Sequence, residues 1–253
     1  MDFAYLSDTV KIKKVSEDGN EGVFEIEGLF RGYGLTLGNA LRRVLLSSLP
    51  GAAITRFTVK GVGHEFTTIP GVVEDVMELG LNLKQIKFAF HADGPQELSL
   101  KVKGEGTIKA GDISDNVQVK VINTNQHIAT LTTKGAELDI ILVVEKGLGY
   151  VPVEAQKADR LPVGTVALDA IFSPVVNVNY VVENMRVGDR TDYNRIKLEI
   201  ETDGTISPSS ALHKASNVLI DHFKKVADIE IKESKEEKSS PKKEDKEDKK
   251  EAK

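Results

Sequence analysis

The sequence has 253 residues and a formal net charge of -5, which is enough chain for one large domain or two small ones. It contains no cysteine, which excludes disulfides and thiolate metal sites. It has no run of about 18 apolar residues and no secretory signal at its N-terminus, so we expect a cytoplasmic protein without a membrane partner. Residues 232–253 hold 9 Lys and 8 acidic residues but one apolar residue, so we expect a disordered charged tail there.

The first 51 residues predict a hairpin followed by a helix. Apolar residues alternate over 10–15 and 23–27, on either side of the turn sequence Asp18-Gly19-Asn20. Apolar residues then recur at helical spacing within 35–49, and Pro50-Gly51 ends that helix. Arg42 and Arg43 lie beside the apolar stripe, where an arginine either faces solvent or pairs with a group of a partner.

Three glycines introduce this first helix, at positions 32, 34 and 38. Glycines between a strand and a helix are also found in dinucleotide-binding enzymes, which is one alternative function for this chain. The spacing GxGxxxG differs from the usual GxGxxG, and no acidic residue follows about 20 positions later. The sequence therefore favours a plain strand-to-helix turn with a positive φ angle.

The middle of the chain is rich in predicted strands. A strand at 53–59 precedes a helix predicted at 72–83, whose apolar side holds Val73, Val76, Met77 and Leu83. Short strands separated by turns fill 86–150, and 154–165 is a polar loop. The scattered histidines form no metal-binding spacing, and no nucleophile–base pair is recognisable, so the pattern indicates a scaffold.

The last folded part returns to long strands, at 175–182 and 196–200. Ser207-Pro208 then predicts the start of a helix that continues to about Asp228. We expect an α+β fold in which a β-rich insertion interrupts one domain that is built from both ends of the chain. The apolar surface of the two long helices fits either packing of both on one sheet or a symmetric dimer through the helices.

Several stretches of the sequence form a specific set of motifs. The helix within Gly34-Leu-Thr-Leu-Gly-Asn-Ala-Leu-Arg-Arg-Val-Leu-Leu-Ser-Ser-Leu-Pro-Gly51 is the longest of them. The others are Gly61-Val-Gly-His-Glu-Phe-Thr67, Asn125-Gln-His-Ile-Ala-Thr-Leu131, Asp169-Ala-Ile-Phe-Ser-Pro174 and Arg186-Val-Gly-Asp-Arg-Thr-Asp192. Together they closely resemble the bacterial RNA polymerase alpha subunit over about 3–230. The resemblance implies a dimerisation subdomain of residues 1–51 and 170–231, a mixed sheet with two long helices, that is interrupted by a β-rich insert subdomain of residues 52–169. Family members usually continue into a small DNA-binding C-terminal domain, where this sequence has only the charged tail.

The resemblance implies a homodimer on which the beta and beta-prime subunits assemble. It also implies that this chain contacts DNA only as part of the assembled polymerase. It implies no catalytic residue, cofactor or metal on this chain, because Mg²⁺ and nucleotidyl transfer belong to the large subunits. A free homodimeric adaptor that joins no polymerase is the other alternative. The residues expected at the dimer interface are Leu37, Leu41, Leu45, Leu212, Leu219, Phe223 and Val226. Those expected at the large-subunit interface are Arg42, Arg43, Ser47, His64, Glu65, Phe66, Lys84, Arg186, Arg190 and Asp192.

Overall fold

The computed structural model describes residues 9–156, 162 and 164–229, so the tail predicted at 232–253 lies outside the described residues. Within these ranges the chain forms three α-helices and fourteen β-strands, and this strand-rich α+β composition confirms the predicted class. The helices are α1 (Tyr33–Ser47), α2 (Val76–Lys84) and α3 (Pro208–Ala227). The strands are β1 (Lys11–Asp18), β2 (Glu21–Leu29), β3 (Pro50–Val59), β4 (Phe88–Phe90), β5 (Gln96–Lys103), β6 (Gly106–Lys109), β7 (Val119–Val121), β8 (His127–Leu131), β9 (Glu137–Leu148), β10 (Tyr150–Val151), β11 (Thr165–Ala167), β12 (Ala170–Ile171), β13 (Val175–Val187) and β14 (Arg190–Thr202). None of the three described helices combines the length and the apolar character that crossing a membrane requires.

Strands from both ends of the sequence form one four-stranded sheet, in the order β1-β2-β14-β13. Every neighbouring pair in it is antiparallel, so the predicted mixed sheet is wrong. Two-residue turns account for two of these pairs, because they join β1 to β2 and β13 to β14 and such short turns can join only antiparallel strands. The third pair, β2 and β14, has no direct connection and is antiparallel through the way the two hairpins meet. Gly19 and Gly188 occupy these turns with positive φ angles of 52° and 61°.

Helices α1 and α3 cover one face of this sheet, and we call the buried residues between them the terminal core. Its strand residues alternate along β2 and β14, as the period of two in the sequence predicts. The opposite face carries ion pairs such as Lys13–Glu27, at 2.7 Å. The terminal core consists of Phe24, Ile26, Leu29, Leu41, Leu45, Leu49, Val175, Val178, Ile196, Leu198, Ile200, Ala211 and Ala215.

A second group of buried residues, the insert core, is drawn from 54–166. It surrounds a sheet in the order β11-β3-β9-β5, with the two-stranded sheets β4–β7 and β6–β8 beside it. Helix α2 contributes three completely buried side chains, those of Val76, Leu79 and Leu83. Each core is thus supplied by its own part of the sequence.

Helix α2 begins four residues later than predicted. Asp75 has an extended backbone, and its carboxylate accepts a hydrogen bond of 2.7 Å from the backbone N–H of Glu78, so Asp75 caps the helix. Val73 therefore precedes the helix, and both Val73 and Met77 are exposed rather than on the buried side. The sequence predicts an earlier start because Val72 and Val73, before Asp75, continue the apolar pattern of the helix.

The glycine turn before α1 has a role in the fold. Gly32 has a φ of 88°, which confirms the predicted turn, and its N–H donates to Asn194 at 2.9 Å. Helix α1 starts at Tyr33 and ends at Ser47, two residues before each predicted boundary. A Cβ on Gly38 would lie 2.7 Å from the Tyr180 ring, so this glycine lets the helix approach β13 closely.

Candidate protein-binding surfaces

An open apolar groove of about 420 Å³ runs between β1, α1 and α3. Apart from two hydroxyl residues and the phenol of Tyr33, its lining is aliphatic or aromatic. Contiguous apolar surface of this kind marks contact sites in soluble proteins. The residues that line the groove are Val10, Ile12, Ile26, Tyr33, Thr36, Leu37, Ala40, Leu41, Leu212, Ser216, Leu219, Ile220 and Phe223.

Within the described part of the chain, the second half of α3 has almost no packing partner. The buried residues of α3 are Pro208, Ala211 and Ala215, all in its first half. Beyond them, the exposed apolar side chains include Phe223 at 65% and Val226 at 67%. A helix normally turns its apolar stripe toward a core, so this half of α3 is built for contact with another surface.

The groove brings together five of the seven residues predicted at the dimer interface. Leu37, Leu212, Leu219 and Phe223 line it, and Leu41 forms part of its floor while also belonging to the terminal core. Val226 lies exposed one helical turn beyond Phe223. Leu45 is completely buried in the terminal core, so it has no surface for a partner, and we assign it to the fold instead.

A second candidate surface begins at the C-terminal end of α1. Arg42 and Arg43 are exposed, and within the described residues neither has an ion-pair partner. Ser47 is exposed in the last turn, where its hydroxyl donates to the carbonyl of Arg43 at 2.7 Å. The two guanidinium groups are thus available to acceptors outside the chain.

Lys84, in the last turn of α2, is fixed by groups 65 or more positions away. Its ammonium lies 3.3 Å from a carboxylate oxygen of Asp169 and 5.8 Å from the centre of the Tyr150 ring. The backbone N–H of Val153 donates to the other oxygen of Asp169 at 3.1 Å. The Val153 hydrogen bond, and then Lys84, keep the pKa of Asp169 below its usual value. Burial, followed by the hydrogen bond to Asp169, raises the pKa of the Tyr150 phenol.

Three apolar residues that the sequence analysis missed extend this surface toward Ser47. Leu148, Tyr150 and Ile171 are all exposed, and the strands that hold them, β9, β10 and β12, meet beside the end of α1. The hydroxyl of Ser173 donates to the carbonyl of Leu46 at 3.2 Å, which joins this region to α1. Only the tertiary fold brings these residues together, because Ile171 lies within the motif Asp169-Ala-Ile-Phe-Ser-Pro174 whereas Leu148 and Tyr150 belong to no recognised motif.

The predicted residues of the insert, His64, Glu65 and Phe66, lie in an exposed loop before α2. Thr67 ties this loop together by donating its hydroxyl to the carbonyl of His64 at 2.9 Å. Phe66 is 73% exposed. An aromatic side chain without cover in such a loop is available as an anchor for a partner.

The remaining predicted residues, Arg186, Arg190 and Asp192, belong to the tip of the β13–β14 hairpin. The guanidinium of Arg190 donates to both carboxylate oxygens of Asp192, at 3.1 and 2.9 Å. The same guanidinium lies 5.1 Å from the centre of the Phe30 ring. The hydrogen bond from Arg190 is also the main reason why the pKa of Asp192 is lowered. These two residues are therefore largely satisfied by each other.

The hairpin tip and the surface around Lys84 lie at opposite ends of α1. Phe30 contacts Arg190 and is stacked edge-on to Tyr33, the first residue of α1. Ser47 ends the helix 14 residues later, about 20 Å away at 1.5 Å per residue. The structure thus separates the predicted large-subunit residues into distinct patches. Among the described residues, no group of three or more His, Asp or Glu side chains could hold a metal ion.

Comparison with known proteins agrees with the resemblance of the sequence motifs. Residues 55–173 match the family described as the RNA polymerase Rpb3/RpoA insert domain. The DNA-directed RNA polymerase subunit alpha of Roseiflexus sp. (strain RS-1) is 50% identical over 218 residues, 86% of this chain and 67% of that protein. The subunit of Moorella thermoacetica is 47% identical over 85% of this chain and 68% of its own length, and that of Alkaliphilus oremlandii is 44% identical over 89% and 73%. The chain spans about two thirds to three quarters of the length of these relatives. It belongs to the family of bacterial DNA-directed RNA polymerase alpha subunits.

Proposed function

We propose that two copies of this chain form a homodimer on which the beta and beta-prime subunits of RNA polymerase assemble. The observation that carries the proposal is the open apolar groove beside the uncovered half of α3. In the proposal this chain supplies no active-site residue, Mg²⁺ belongs to the large subunits, and DNA is reached only through the assembled enzyme. In transcription, the proposed role of the dimer is therefore to serve as the scaffold on which the large subunits assemble.

In a two-fold symmetric dimer, the groove of each copy can receive the second half of α3 from the other copy. The lining of the groove and the second half of α3 are both apolar and exposed, so each would be stabilised by contact with another apolar surface. In a symmetric dimer each copy supplies both, because a two-fold interface uses the same patch on both subunits. Phe223, at the edge of the groove and on the uncovered half of α3, is the natural centre of such an interface.

We also propose that the two hydrophobic cores mark two subdomains. The terminal core would belong to a dimerisation subdomain of residues 1–51 and 170–231, and the insert core to an insert subdomain of residues 52–169. The separate origin of the residues in each core supports this division.

The dimer is tested by placing charge in the groove. The double variant Leu219→Glu, Phe223→Glu should be monomeric, because a dimer would bury two unpaired carboxylates in each copy. Light scattering should give half the mass of the wild-type particle. Lys225→Glu is the control, because this exposed residue lies about 200° around the helix from Phe223. A double variant that keeps the dimer mass would refute this interface.

The assembly role is tested at the end of α1. Arg43→Ala should leave the dimer intact but weaken capture of the beta subunit by roughly tenfold or more, because truncating a buried interface arginine commonly costs about 2 kcal/mol. Pull-down of purified beta subunit at graded concentrations measures the change. Lys225→Ala, which removes an exposed cation from α3, is the control. Equal capture by wild type and Arg43→Ala would remove Arg43 from the interface, and failure of the wild type to capture beta would favour the free adaptor.

A further inference from the structure

A second concave site lies where the terminal core and the insert core meet. This cleft, the junction cleft, has a volume of about 270 Å³. One wall comes from α3 and the turn before it, and the other comes from β3, β4 and β9. Its lining residues are Pro50, Gly51, Ala52, Phe88, Ala89, Phe90, His91, Lys146, Thr205, Ile206 and Lys214.

The junction cleft has a positive lining in an acidic chain. The whole sequence holds 39 acidic and 34 basic residues, yet none of the eleven lining residues is acidic. Lys146 and Lys214 are exposed, and within the described ranges neither makes an ion pair. His91 adds an exposed imidazole beside them. Uncompensated ammonium groups that converge on one concavity favour an anionic ligand, and phosphate is a common partner of lysine.

The remaining lining is apolar and includes an aromatic ring. Phe90 is partly buried against the insert core, and Pro50 and Ile206 continue the apolar wall. Small-molecule sites typically combine such walls with a few polar groups that fix orientation. An inorganic anion would use only the cationic side of the cleft, whereas an organic phosphate would use both sides.

We infer that the junction cleft binds a small organic phosphate of nucleotide size. Lys146 and Lys214 would hold its phosphate groups, and its base or other apolar part would contact Phe90 and Ile206. The site is independent of the proposed dimer interface, because Lys214 lies about 200° around α3 from Leu212, which lines the groove. A ligand held by Lys146 of β9 and Lys214 of α3 would bridge the two cores, and would stabilise the protein against heating because only the folded state can bind it.

Calorimetric titration of the full chain at low salt, with ADP and with pyrophosphate as probes, tests the inference. ADP should bind, pyrophosphate should bind several-fold more weakly, and the double variant Lys146→Ala, Lys214→Ala should weaken ADP binding by about tenfold or more. Lys60→Ala, which removes an exposed cation outside the cleft, should bind ADP as the wild type does.

A second variant separates the two halves of the site. Phe90→Leu keeps an apolar side chain and should weaken ADP while leaving pyrophosphate unchanged. The inference is overturned if ADP does not bind, if pyrophosphate binds as tightly as ADP, or if the double lysine variant binds ADP as well as Lys60→Ala does. A rise in melting temperature with ADP that the double variant lacks would support it.

Discussion

Glu17 shows how a single carboxylate joins two distant parts of the fold. It lies near the end of β1, and its two oxygens accept hydrogen bonds from the backbone N–H and the hydroxyl of Ser209, at 2.9 and 2.7 Å. Ser209 is in the first turn of α3, where backbone N–H groups have no partner within the helix. The Ser209 N–H, then its hydroxyl and Lys14, lower the pKa of Glu17 from 4.5 to about 2. Glu17 thus acts as a negative group at the start of α3.

This pKa predicts an acid-sensitive link. Because the pKa is lower in the folded state, Glu17 stabilises the fold above about pH 4.5, and the stabilisation is lost as pH falls toward 2. Glu17→Gln should lower the free energy of unfolding at pH 6, and the difference from the wild type should shrink at pH 3. Urea titrations at the two pH values measure this. Glu105→Gln, in the exposed turn between β5 and β6, is the control, and an equal loss at both pH values would contradict the assignment.

The contacts of individual residues were the part least accessible from the sequence. Lys84 was expected in an interface by resemblance, but its partner Asp169 lies 85 positions away and was not foreseen. The mutual pairing of Arg190 and Asp192 was equally hidden, although only two positions separate them. The sequence shows which side chains are polar, but which polar groups come into contact depends on how the strands and helices pack.

At the scale of elements, α3 consists of two halves with different surroundings. The first half begins with the Ser207 cap and Pro208, the signals that predicted its start correctly, and packs on the terminal core. The second half carries its apolar residues uncovered. An exposed half-helix of this kind opens easily unless a partner covers it.

Amide hydrogen exchange can measure whether a partner covers the second half of α3. In the proposed wild-type dimer the amides of 219–227 should be protected, and in the double variant Leu219→Glu, Phe223→Glu they should exchange at least about tenfold faster. The amides of 211–215 should be unchanged in both, because these residues pack within the chain. Equal exchange of 219–227 in the two proteins would show that no partner covers this half of α3.

The elements also show which boundaries a sequence defines. α3 was located within a residue at both ends because a capping serine, a proline and a long apolar stripe coincide there. α2 was placed too early because Val72 and Val73 continue its apolar pattern, while the actual start depends on the hydrogen bond of Asp75. The antiparallel sheet was missed because strand direction follows from which strands become neighbours.

At the scale of the whole molecule, two cores imply two cooperative units. Leu198 is fully buried in the terminal core and Leu142 in the insert core. Leu198→Ala and Leu142→Ala should each cost about 2–5 kcal/mol, but in different units. Differential scanning calorimetry should therefore show two transitions, each lowered by one variant only. A single transition that both variants lower equally would mean that the cores unfold together.

The order of the sequence sets an order of folding during synthesis. The buried residues of the insert core come from 54–166, and Ala52 and Leu168 pack against them, so all these residues are made before β13 and β14. The terminal core cannot close until β14 emerges to pair with β2, which was synthesised near the start of the chain. Closing contacts over such long separations is slow, and domains generally fold as units while the chain grows. The groove is lined by residues from both ends of the chain, so the surface proposed for dimerisation is completed last, and a nascent chain cannot present it before its own fold is nearly complete.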